Sequence, residues 1–223
     1  MDLILIALAP VFIIAFYIYY RDKYEKEPAG QLFRALLAGV LICIPVSFIE
    51  YFLSMFSKMF GMYSSAWNAF VVAALTEEGF KFLALYILFW KNKYFNEKFD
   101  GLVYAVFISL GFAGLENILY VLNGGVTVGW TRAITAVPSH ALDGIIMGYY
   151  FGLARFIPAF RSRYLRLSFF MPFLLHGMYD FIIMSGHPVL LYCFIPFIVY
   201  MWITGFRKMK KLSDNTSWSF RDI

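Results

Sequence analysis

Apolar residues along this chain come in long, nearly unbroken runs. Seven stretches, near 3–20, 31–56, 67–90, 101–122, 133–154, 167–184 and 188–206, are each long enough to cross the roughly 30 Å of bilayer hydrocarbon as a helix. Proline and glycine punctuate them at Glu27-Pro28, Asn123-Gly124-Gly125 and Gly186-His187-Pro188. The pattern predicts an all-α, polytopic transmembrane bundle of about seven spanning helices over 1–206, followed by a soluble tail at 207–223. The first run has no basic residue ahead of it and lasts to Tyr20, longer than the apolar core of a secretion signal, so it reads as a retained helix.

Lysine and arginine fall unevenly between the runs. Arg21, Lys23 and Lys26 follow the first, Lys91, Lys93 and Lys98 the third, Arg155, Arg161, Arg163 and Arg166 the fifth, and Arg207, Lys208, Lys210, Lys211 and Arg221 the last. The joints between hold only Lys58 and Arg132. By the positive-inside rule the N-terminus lies outside and the C-terminus in the cytoplasm. Composition agrees: 61% of the 223 residues are hydrophobic, 15% are charged and mean hydropathy is +0.70. So few charges cannot cover a water-soluble surface. The net charge of +5 gathers at one side of the proposed membrane and does not point to nucleic acid. Cys43 and Cys193 sit in apolar runs without C-x-x-C spacing and read as small buried hydrophobes.

Charge inside the spans changes the picture. Glu50, Glu77, Glu78, Glu116, Asp143 and Asp180 lie within them, with Lys81, His140 and His176. At about 3 kcal/mol for each charged group near a bilayer centre, the set costs on the order of 20 kcal/mol. These groups must face the bundle interior and pair there, as an interhelical clasp or as a functional centre. At about 1.5 Å per residue, Glu77, Glu78 and Asp143 fall some 15 Å below the outer boundary, and Glu116 and His140 about 10 Å below it. His176 and Asp180 fall between the outer surface and the middle, so four helices deliver polar groups to one layer in the outer half of the membrane.

Spacing sharpens the chemistry. Glu77 and Lys81 are i,i+4, and Glu78 and Lys81 i,i+3, so one ammonium can neutralise one of two crowded carboxylates and leave the other as a base. His140 with Asp143 and His176 with Asp180 read as His–carboxylate pairs that fix an imidazole tautomer. Asn117, beside Glu116, adds an amide donor. Gly144, Gly148 and Gly152, with Gly111 and Gly114, let helix backbones touch. The chain has no H-E-x-x-H, no G-x-S-G and no G-x-G-D. What is left is water activated by a carboxylate, with His and Asn groups polarising a carbonyl. That chemistry requires no cofactor. Zinc held by Glu78, His140 and His176, with one position open, is the alternative.

Four ordered motifs carry a resemblance: Glu77-Glu78-Gly79-Phe80-Lys81, Phe112-Ala113-Gly114-Leu115-Glu116-Asn117, Pro138-Ser139-His140-Ala141-Leu142 and His176-Gly177-Met178-Tyr179-Asp180. Together with the early loop from Arg21 to Pro28, they resemble the PrsW family of membrane proteases over essentially the whole chain. That family is itself distantly similar to the type II CAAX prenyl endopeptidases. The resemblance implies the first, extracytoplasmic-side cut in a single-span anti-sigma factor in a bacterial inner (plasma) membrane. A second protease then cuts within the membrane, and an extracytoplasmic-function sigma factor is released. It makes Glu77 and Glu78 the catalytic carboxylates and His140 and His176 essential partners; which glutamate is the base does not carry over from the family, and Glu78 is the preferred one. Glu116, Asn117 and Asp180 would support them and Lys81 would tune the pair; Asp143 and Glu50 fall outside the family pattern. From the residues alone, a proton-coupled transporter or channel is the other functional class, although no internal repeat is visible. A catalytically silent scaffold that binds a helical partner is the third.

Overall fold

The computed structural model describes residues 2–23 and 25–214; residues 215–223 of the expected tail, Arg221 among them, lie outside the described residues. Helices α1 (Asp2–Arg21) and α2 (Ala29–Ser54) are followed by a 3₁₀ segment, Ser57–Tyr63, and a short α3 (Ser64–Ala66). A wide π turn, Trp67–Ala74, then runs directly into α4 (Leu75–Phe89). The chain continues through α5 (Lys98–Ile134), α6 (Ala136–Phe156), α7 (Arg161–Met184) and α8 (Pro188–Asp214). Among the described residues there is no strand.

Among the described residues, five stretches are long and apolar enough to cross a membrane: Leu3–Arg21, Ala29–Ser54, Lys98–Phe156, Pro158–Met184 and Pro188–Ser213. The stretch expected at 67–90 is not among them, because Glu77, Glu78 and Lys81 interrupt it. The two expected at 101–122 and 133–154 fall inside one nearly continuous helical stretch, since only Thr135 separates α5 from α6. Helix α8 runs past the expected boundary at 206 to Asp214 without a break.

Helix α5 is the core. Every residue from Phe99 to Gly114 is buried, and α1, α2 and α6 pack around it. Such close packing needs backbones without side chains between them. A Cβ on Gly111 would lie 2.0 Å from the Leu36 carbonyl oxygen of α2, and one on Gly148 2.3 Å from Leu102 Cα of α5. The glycine spacing on α6 thus marks backbone contact. Cys43 is buried and Cys193 exposed; both are free thiols.

Beyond its buried half, α5 does not run straight. Gly125 adopts φ +73° and ψ −166°, backbone that glycine takes without steric cost. The chain reverses there, and 126–134 returns as helical turns along the segment it has just left. A Cβ on Gly129 would come within 3.3 Å of the Val121 side chain, a separation that eight residues of straight helix, about 12 Å, forbid. The open joint expected around Asn123-Gly124-Gly125 is therefore a re-entrant hairpin.

At the Lys/Arg-rich end, the loop between α1 and α2 is tied to α5. Tyr104 donates to Glu27, and the Glu27 backbone N–H donates to Asp22 Oδ2 at 3.2 Å. Burial pushes the Glu27 carboxyl up to about 7 from an ordinary 4.5; the nearby Asp22 charge adds to this and the Tyr104 hydrogen bond opposes it. A carboxyl raised on folding binds more protons folded than unfolded, so stability falls as pH rises from 4.5 to about 7 and levels off above. Thermal unfolding in detergent is expected to show a melting temperature that declines between pH 5 and 7, a slope that Glu27→Gln flattens. An unchanged slope in the variant removes Glu27 as its cause.

Candidate active site

The local fold delivers the charged groups in sequence order. The π turn ends immediately before Leu75, and Glu77 and Glu78 occupy the first turn of α4, with Lys81 one turn on. Such wide turns recur at functional sites because they shift helical register. Glu116 and Asn117 lie on α5 ahead of the Gly125 reversal, His140 near the start of α6, and His176 and Asp180 on α7.

Four of these groups meet. Glu77, Glu78, His140 and His176 are buried, and each offers a ligating atom within 4.8 Å of the others. The Lys81 ammonium lies among them, at 3.1 Å from Glu77 Oε2, 2.8 Å from Glu78 Oε1 and 3.1 Å from His140 Nδ1. It bonds both glutamates, where the spacing had promised neutralisation of one. It also lies 4.3 Å from the centre of the Phe112 ring. His176 Nδ1 is 2.9 Å from Glu78 Oε1, and its Nε2 lies 3.4 Å from Asp180 Oδ2 and 3.9 Å from Glu77 Oε1.

The structure replaces one expected pairing. His140 does not pair with Asp143; its Nε2 lies 3.0 Å from Glu116 Oε2 on the neighbouring helix. Asp143 is fully buried, and neither carboxylate oxygen has a hydrogen-bond partner among the described residues. The spacing i,i+3 shares a face, but the imidazole turns toward α5 and away from its own helix. Asn117 is also spent elsewhere. Its amide N–H donates to the Ala7 carbonyl of α1 at 2.9 Å, and its oxygen accepts from Arg132 Nε at 3.0 Å.

A cavity of about 480 Å³ opens onto this cluster. Glu77, His140, His176 and Asp180 line it together with Glu50, Glu116 and Arg132, whereas Glu78 stands behind Glu77 and out of it. Glu50 of α2 also accepts from the Thr76 hydroxyl at 3.4 Å. In the sequence Arg132 reads only as an outer-joint charge. Its Nη2 lies 2.7 Å from Glu116 Oε2, the oxygen that His140 also contacts. The one available signal was its isolation: a lone arginine in a Lys/Arg-poor stretch, seven residues after Gly125.

Buried carboxylates and imidazoles at a polar cavity, within a bundle of apolar helices, suit an intramembrane hydrolase. Comparison with known proteins makes the class specific. A family model described as PrsW family intramembrane metalloprotease matches residues 27–203, and the chain belongs to that family. Protease PrsW of Geobacillus kaustophilus is 41% identical over 210 residues, covering 94% of this chain and 92% of the relative. Those of Bacillus subtilis and Oceanobacillus iheyensis are 40% and 39% identical, over 92% and 94% of this chain and 92% and 95% of their own lengths. No solved structure matches the chain. The protein is an intramembrane protease.

The family description names a metal, and the donors fit one. Two imidazoles and two carboxylates, all buried and within 4.8 Å of one another, are a zinc-type donor set. Glu78 Oε2 is moreover a buried oxygen with no hydrogen-bond partner among the described residues. Lys81 is the cation that bonds three of these four residues.

Proposed function

We propose that the chain hydrolyses a peptide bond with water activated by the glutamate pair, and that Glu77 is the base. The observation that carries this reading is the meeting of Glu77, Glu78, His140 and His176 beside a polar cavity. The sequence reading prefers Glu78 as the base. In support of Glu77, it lines the cavity, while Glu78 Oε1 is occupied by Lys81 and His176.

In this mechanism Glu77 takes a proton from water as the oxygen attacks the scissile carbonyl, and returns it to the leaving amine nitrogen when the C–N bond breaks. His176 donates to the oxyanion through Nε2, the task Asn117 is too engaged to perform, and Glu78 at Nδ1 orients the His176 ring. A divalent ion held by Glu78, His140 and His176 would add Lewis-acid polarisation of the carbonyl or the water.

We further propose seven crossings, with 67–89 as the third, the N-terminus outside and the stretch from 207 cytoplasmic; the skew of lysine and arginine supports this. The cavity then lies in the outer half of the inner (plasma) membrane of a bacterium. That depth and family membership support a single-span anti-sigma factor as substrate, cut toward its extracytoplasmic side so that a sigma factor is eventually released. The test compares the membrane proteomes of cells expressing wild type and the Glu77→Gln, Glu78→Gln double variant, with new termini mapped by mass spectrometry. A single-span protein clipped near its outer boundary only by the wild type is the expected result. Identical termini under envelope stress, with both proteins stably inserted, would overturn the reading.

A further inference from the structure

Arg132 and Glu116 are separated by 16 positions, which in a straight helix is about 24 Å. Here their side chains meet at 2.7 Å, because Gly125 folds the chain back on itself. The guanidinium spans two acceptors on the outgoing segment, Glu116 through Nη2 and Asn117 through Nε at 3.0 Å, and lies 3.9 Å from the centre of the Tyr120 ring. A planar fork is suited to holding two acceptors in fixed geometry, which a lysine ammonium is not. Among the residues lining the cavity Arg132 is the sole Lys or Arg, facing Glu50, Glu77, Glu116 and Asp180.

The contact continues inward. Glu116 Oε2 receives both Arg132 and His140 Nε2, the latter at 3.0 Å. The opposite nitrogen, His140 Nδ1, lies 3.1 Å from the Lys81 ammonium. An ammonium has hydrogens to give and no lone pair, so Nδ1 must accept and the ring hydrogen must sit on Nε2, donated to Glu116. That demand acts only while the ring stays against Lys81; a Glu116 carboxylate free to swing would leave Nε2–H without its acceptor and let the ring turn away, reopening the choice. We propose that Arg132 is a positioning residue of this site: clamping Glu116 across the re-entrant turn, it fixes His140 in the tautomer whose Nδ1 lone pair faces Lys81 and the glutamate pair. This deepens the hydrolytic reading and rests on His140 belonging to that site.

The chain has three histidines, so 15N-histidine NMR of the detergent-solubilised full-length protein can follow each ring, with His140 assigned through His140→Asn. In the wild type, His140 is expected to show one protonated nitrogen, Nε2, and an accepting Nδ1. Arg132→Gln is expected to give a mixture of tautomers at His140 while the His176 and His187 signals stay in place, and Arg132→Lys a smaller mixture. On the substrate found by terminus mapping, kcat falls about 10- to 100-fold in Arg132→Gln, the range for groups that orient a site's own ligands, with KM nearly unchanged. His140 signals identical to wild type in both variants overturn the proposal. So does a raised KM at unchanged kcat, which would make Arg132 a substrate contact. Should Arg132→Gln not fold, Arg132→Lys and Glu116→Gln read the same tautomer. The NMR result stands apart from cleavage, so failure of the hydrolytic reading would not mask it.

Discussion

Glu77→Gln is expected to reduce cleavage by about 10²–10⁴-fold, the range that a positioned general base contributes. The amide keeps the shape of the side chain and can still accept from Lys81 Nζ, now 3.1 Å from Glu77 Oε2, but it cannot take a proton from water. Expression, insertion and thermal stability should therefore stay close to wild type, and the loss should appear in kcat. Glu78→Gln should behave differently. Its Oε1 accepts from Lys81 at 2.8 Å and contacts His176 at 2.9 Å, so the change loosens the ring and the ammonium along with any chemistry. The measurement is single-turnover cleavage of the mapped substrate in proteoliposomes, beside the melting temperature of each variant. Near-wild-type cleavage by Glu77→Gln, together with a large loss in Glu78→Gln, would return the base to Glu78. Activity in the double variant would remove both.

Much of the fold was legible because hydrocarbon imposes a simple rule: a crossing segment must be long, apolar and hydrogen-bonded within itself. The apolar runs consequently became helices, although the run at 101–122 continues to Ile134 and the last one to Asp214. What the runs could not reveal was the course of 123–134. Asn123-Gly124-Gly125 announced an interruption, but whether the chain then looped away or folded back depended on Gly129 meeting Val121 and Ile6, contacts with no periodic signature. The site divides along the same line. Partners on one helix, Glu77, Glu78 and Lys81, could be read from i,i+3 and i,i+4 spacing. The partner of His140 could not, because Asp143 and Glu116 both suited it and only the approach of α5 to α6 decided between them. Arg132 escaped notice for a related reason, its role existing only once the chain has reversed.

Lys81→Met is expected to be the most destabilising single change among the site residues. The ammonium is wholly buried and contacts two carboxylates and an imidazole, and Glu78 beside it is as deeply buried. Removing one partner of a buried ion pair strands the other charge, a loss of about 3–5 kcal/mol, which for a chain of this size lowers the melting temperature on the order of 10 °C. Methionine fills nearly the same volume, so little of the loss would come from a void. A double-mutant cycle separates charge from packing. If uncompensated carboxylates are the cause, adding Glu77→Gln and Glu78→Gln to Lys81→Met should restore most of the stability, although the triple variant cannot cleave. If the loss persists in the triple variant, Lys81 acts through packing against Phe112 and its neighbours. A Lys81→Met protein as stable as wild type in the presence of a strong chelator would show that the glutamate pair needs no ammonium at all. Because three of the four candidate ligands converge at Lys81, the same cycle repeated with added Zn²⁺ asks whether a divalent ion can replace the lysine. Stability recovered by Zn²⁺ in Lys81→Met, and not in the triple variant, would mean that ammonium and metal ion compensate the same two carboxylates.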